Sequence, residues 1–109
     1  MTSHRELVNS YYTTIDEGRY DDLYDLLAPE FVHERPDRTL DGRETFIEFM
    51  RDERPLTETS HKLDAVYRNE HELAVRGRLL DAADERLFGF VDVHTIEEGR
   101  IVRVRTFTD

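Results

Sequence analysis

The chain has 109 residues, no cysteine and a net charge of -10, from 25 acidic residues against 15 basic ones. That length predicts a single domain over residues 1–109 with one core, the missing cysteine excludes disulfides and thiolate chemistry, and the acidity disfavours a nucleic-acid partner. Lys62 is the sole lysine, and acidic side chains spread along every segment match the solvated surfaces of proteins from a high-salt, halophilic cytoplasm.

The N-terminal MTSHRELVNSYY has no apolar stretch of signal-peptide type, and about 18 uncharged apolar residues run together nowhere. The expectation is a cytoplasmic protein with no membrane partner. Ser3 and Glu6 form a capping pattern, and Leu7, Val8, Tyr11, Tyr12 and Ile15 recur at helical spacing until Gly18, which predicts a helix over 4–17. Tyr20, Leu23, Tyr24 and Leu27 continue the period on a second short helix that Pro29 ends after Ala28. Phe31 to Arg35 reads as a strand closed by Pro36. Asp41 and Glu44 repeat the capping pattern before a third helix, carried by Phe46, Ile47, Phe49 and Met50, that cannot pass the Arg54-Pro55 step. Residues 59–68, 72–81, 86–96 and 100–108 are rich in Val, Leu, Phe and Thr and are split by NEHE, DAADE and EEG, which predicts four successive antiparallel strands.

Three helices and a short strand followed by a long meander place the helices over one face of a strongly curved, mostly antiparallel sheet, an α+β fold with a cavity between the layers. Alternation turns Leu73, Val75, Gly77 and Leu79 inward, with Val102, Val104, Thr106 and Thr108 beside them. It gathers Arg76, Arg78, Arg103 and Arg105 on the outer face together with Ile101 and Phe107, where the arginines pair with carboxylates or bind an anion. HExxH is absent, and the HE pairs at His33 and His71 lack a second histidine four residues on, so no metal is expected. No glycine-rich phosphate loop or nucleophile elbow occurs, so no cofactor is expected either.

The order of elements resembles the superfamily of nuclear transport factor 2, the SnoaL-like polyketide cyclases and the ketosteroid isomerases. The resemblance is carried by YYTTIDEGRYDDLYDLLAPEFVHERP, by LDGRETFIEFM with its glycine opening the third helix, and by EEGRIVRVRTFTD at the end. It implies a cone-shaped fold, a mostly apolar pocket for a small organic ligand, and a homodimer formed through the outer sheet face. It also turns Phe88, Phe90, Asp92 and His94 inward, so that Asp92 and His94 make an i, i+2 pair able to work as acid and base, or to stand as a hydrogen-bonded structural pair.

Tyr11 and Asp92 fall where the isomerases place their two oxyanion donors, but the position of their proton-shuttling aspartate is Arg35, which cannot accept a proton at neutral pH. Thr106 stands where limonene-type epoxide hydrolases carry an aspartate. Asp16 and His61 are similar in placement to an aspartate and a histidine of scytalone dehydratase. The expected catalytic residues are therefore Tyr11, Asp92 and His94, with His33, Arg35, His61, Val75, Phe90, Val104 and Thr106 lining the ligand site. Arg35 favours an enolate-like ligand oxygen or pairs with Glu34, Asp37 or Asp92, and His33 and His61 each have a structural alternative. The functional expectation is an isomerase, cyclase or dehydratase without cofactor; the alternative is a non-catalytic ligand-binding or dimerisation domain.

Overall fold

The computed structural model describes residues 3–54 and 58–109. Helix α1 spans His4–Glu17 and α2 Tyr20–Leu26; strands β1 (Leu27–Glu34) and β2 (Thr39–Asp41) follow, and then α3 (Arg43–Glu48), which runs into a π-helical turn, Phe49–Glu53. Four long strands complete the chain: β3 (Ser60–Arg68), β4 (Glu72–Leu80), β5 (Arg86–Glu97) and β6 (Arg100–Thr108). The sheet order is β2-β1-β6-β5-β4-β3. Only β1 and β6 pair in parallel; every other neighbouring pair is antiparallel. Among the described residues no helix is long and apolar enough to cross a membrane.

The ends of α1 are set by local chemistry. Ser3 Oγ accepts the Glu6 N–H at 3.1 Å, and Gly18 takes the left-handed conformation (φ 69°) while its own N–H and that of Arg19 close onto Ile15 and Thr14. The inward stripe Leu7, Val8, Tyr11, Tyr12 and Ile15 is buried against the sheet, where it meets Phe46, Val75, Phe90 and Val104 in one core.

Three local expectations are corrected. First, α2 stops at Leu26 and β1 begins at once at Leu27, so that Pro29 lies inside the strand and does not end the helix. The β1–β6 register is irregular between Leu27 and Val32, and Pro29 and Glu30 are exposed there, a place where a missing N–H costs no ladder bond. Second, Asp41 does not cap α3, because it is the last residue of β2, a three-residue strand the sequence pattern did not reveal. Gly42 makes the turn with φ 101° and gives its N–H to Phe31 O. Third, Ile101 is fully buried and does not lie on the outer face. The β5–β6 register slips between Thr95 and Ile96, which turns Ile101 inward opposite Ile96.

Candidate active site in the cone

Five elements converge on the space between α1 and the sheet. Helix α1 presents Tyr11, Tyr12, Ile15 and Asp16. From β3 comes His61; β5 contributes Phe88, Phe90, Asp92 and His94 by alternation, with Asp92 opposite Thr106 and His94 opposite Val104 on β6. The parallel pairing of β1 places His33 beside Val104, and Arg35 follows the end of β1. Between them lies a cavity of about 430 Å³, bordered by Tyr11, His33, Arg35, His61, Asp92 and Thr106 over an apolar wall that includes Ile15, Phe88 and Phe90.

Two expected wall residues, Val75 and Val104, and one expected catalytic residue, His94, do not border this space. Val75 and Val104 lie beneath the wall, and His94, 0% exposed, is sealed behind the edges of the Tyr11 and Tyr12 rings. Asp92 and His94 do not touch directly. The Tyr12 hydroxyl stands between them, 2.6 Å from Asp92 Oδ2 and 2.8 Å from His94 Nε2. On its other side Asp92 Oδ1 accepts the Thr106 hydroxyl at 2.5 Å, and Thr106 Oγ1 lies 2.8 Å from His33 Nε2. The two remaining ring nitrogens, His33 Nδ1 and His94 Nδ1, are buried without a hydrogen-bond partner.

Burial dominates the electrostatics of this network. It raises the Asp92 carboxyl above its ordinary range, while hydrogen bonds from Thr106 and Tyr12 and the positive sides of His61 and Arg35 pull it back. Burial lowers both His33 and His94 to about 3, Arg35 assisting at His33 and His33 at His94, so both rings are neutral near pH 7. The phenols of Tyr11 and Tyr12 are raised well above the ordinary tyrosine value by burial and by Asp92, and stay protonated.

A second acid–histidine grouping lies on the same cavity. Asp16 accepts both the backbone N–H of His61 (2.9 Å) and its ring Nδ1 (2.6 Å). The ring packs tilted against Tyr12 and edge-to-face with Phe90, with centroids 5.0 and 5.6 Å away. With Nδ1 engaged by the carboxylate, Nε2 is the nitrogen left for a ligand. Arg35 meets Asp37 at 3.3 Å and stacks over Phe49, with its guanidinium 5.0 Å from the ring centre. Tyr11, the tyrosine singled out from the sequence, makes no side-chain hydrogen bond within the described residues, whereas Tyr12, read there as core, makes two. Its spacing from Asp16, i to i+4 on one helix face, is the signal that could have found it. Among the described residues no three His, Asp or Glu side chains are grouped to hold a metal ion.

The family model of the SnoaL-like domain matches residues 8–104. No curated protein matches in sequence. Among solved structures, a nuclear transport factor 2-like protein of unknown function from Cytophaga hutchinsonii is similar over 100% of this chain and 92% of its own, with TM-score 0.86 at 12% identity. A Sinorhizobium meliloti protein provisionally named a polyketide cyclase is similar over 94% of both chains, with TM-score 0.82 and 17% identity. A Kribbella flavida protein provisionally named a ketosteroid isomerase covers 96% of this chain and 76% of its own, with TM-score 0.84 and 23% identity. At these identities the likeness concerns the fold.

Proposed function

We propose, for a chain that belongs to the SnoaL-like domain family, that the cavity takes a small, mostly apolar carbonyl compound and that His61 moves a proton on it without a cofactor. The observation that carries this reading is the contact of Asp16 at 2.6 Å with His61, a residue of the cavity wall. Asp16 fixes the ring and its tautomer, so Nε2 offers a lone pair to an acidic C–H beside the ligand carbonyl. As that C–H bond breaks, the proton passes to Nε2 and the electron pair moves onto the carbonyl oxygen. The Tyr11 phenol and the Arg35 guanidinium, both on the cavity wall, face the oxyanion. Return of the proton to a different carbon gives an isomerisation; its transfer to a departing hydroxyl gives a dehydration. Arg35 in place of a carboxylate base leaves the base role to His61. The outer sheet face, where Tyr67 is 57% and Phe107 51% exposed, serves as the contact of a homodimer.

The experiment is deuterium uptake from D₂O by a panel of small cyclic ketones and enones, followed by NMR with wild-type protein and with His61→Ala. Uptake that needs His61 supports the enzyme. Saturable binding of the same compounds without uptake selects the non-catalytic ligand-binding reading, and neither binding nor uptake overturns both.

A further inference from the structure

The hydrogen bonds around Asp92 have a direction, because each bridging hydroxyl carries one hydrogen. While Asp92 is a carboxylate it can only accept, so Tyr12 and Thr106 both point their hydrogens at it. Each hydroxyl oxygen must then accept from the histidine behind it, which requires an Nε2–H on both His94 and His33. The nitrogen left over on each ring is a bare lone pair. That agrees with the two Nδ1 atoms buried without a partner, since an orphaned lone pair is better tolerated than an orphaned N–H.

A proton added to Asp92 breaks this symmetry. If it sits on Oδ1, Asp92 becomes a donor to Thr106, the Thr106 hydrogen turns to His33 Nε2, and the His33 ring must carry its hydrogen on Nδ1 instead. The same reversal through Oδ2 would need Tyr12 to turn to His94 and that ring to change tautomer. One proton reverses one arm only. The His33 ring borders the cavity, although its Nδ1 is itself buried, whereas His94 does not, so the His33 arm is the one that lies beside what fills the cavity.

We propose that Thr106 is a positioning residue that couples the protonation of Asp92 to the tautomer of His33, while the Tyr12–His94 arm stays fixed. The proton balance closes. A proton enters at His33 Nδ1, the Nε2–H passes to Thr106, and the Thr106 hydrogen passes to Asp92 Oδ1. The product is a neutral Asp92 and a neutral His33 carrying one hydrogen on Nδ1. Asp92 is thus a proton store whose state the His33 tautomer reports. The groups whose fields reach the network are Arg35, which acts on both Asp92 and His33, Asp37, which acts on His33, and His61 on β3, which acts on Asp92. The inference extends the acid–base reading of the cavity, and its test reads the network without any substrate.

The test is the ¹⁵N spectrum of the histidine rings, recorded across the ionisation of Asp92 as followed by its ¹³Cγ shift. In the wild type the protonated-nitrogen and bare-nitrogen shifts of His33 exchange places as Asp92 takes its proton, and those of His94 do not. Thr106→Val abolishes that exchange, and Thr106→Ser, which keeps the hydroxyl, restores it; well-dispersed amide spectra verify the fold of both. Asp92→Asn, neutral at every pH, removes the exchange. A His33 tautomer that ignores Asp92, that follows it equally in Thr106→Val, or a change at His94 in its place overturns the proposal. Deuterium uptake that fails while the coupling holds rejects the enzyme reading and leaves the network intact.

Discussion

The protein pairs an aspartate with a histidine in two ways, a few residues apart on one cavity. Asp16 and His61 touch directly at 2.6 Å with side chains 21% and 16% exposed, where water still reaches the pair. Asp92 and its two histidines are each more than nine-tenths buried, and there a neutral hydroxyl stands in every gap. A direct charged pair in the dry core would face the full desolvation of both ions, which its attraction seldom exceeds. Hydroxyl spacers let the buried carboxylate collect donors while both imidazoles stay neutral. The wet pair is suited to reacting with a ligand and the dry one to holding a proton in place.

Substitutions can break or sharpen that contrast. His61→Ala should reduce the proposed deuterium uptake by about 10²–10⁴-fold, the usual share of a general base, whereas Asp16→Asn should lower stability by only about 1 kcal/mol in urea unfolding. Tyr12→Phe should cost about 3 kcal/mol in the same measurement, because it strands Asp92 Oδ2 and His94 Nε2 in the core; equal costs for the two variants would erase the distinction between wet and dry pairs.

Next comes pH. Folded His33 and His94 titrate at about 3 and unfolded histidine near 6.5, so between those values the unfolded chain binds more protons and stability rises with pH. Asp92, raised by burial, has the opposite sign, but it is one carboxyl against two rings. Unfolding followed from about pH 6.5 down to 3 should therefore show a loss of stability, with a clearly smaller slope in His94→Asn. The smallest effect is expected on the outer face. There Arg78 meets Asp64 at 2.9 Å with both side chains partly open to solvent, and Arg78→Ala should leave the melting temperature unchanged within error.

The first helix and the four long strands were legible because their signals are local: a serine cap, a left-handed glycine, and alternation between short polar turns. The inward set Phe88, Phe90, Asp92 and His94 followed from the resemblance and stands on the inner face. What escaped depends on partners distant in the chain. The strand of Thr39–Asp41 exists because β1 offers it an edge, and the inward turn of Ile101 depends on a register slip against β5. Tyr11 and Tyr12 are both buried aromatics one residue apart on α1; which of them meets Asp92 is decided by how the helix rolls on the sheet, and periodicity alone does not fix that.

The parallel pairing of β1 with β6 also sets a timetable. Three of the four contacts of the dry network join residues 73, 80 and 82 positions apart, against 45 for Asp16 with His61. Closing long loops before any reward is the slow part of folding. On the ribosome the first helix and His61 are both out while the partner strand of β1 is still unmade, so the wet pair is able to meet before the dry network has all its members. Until β6 slots between β1 and β5, Asp92 and His33 have no Thr106, and the chemistry of the cavity waits on that strand.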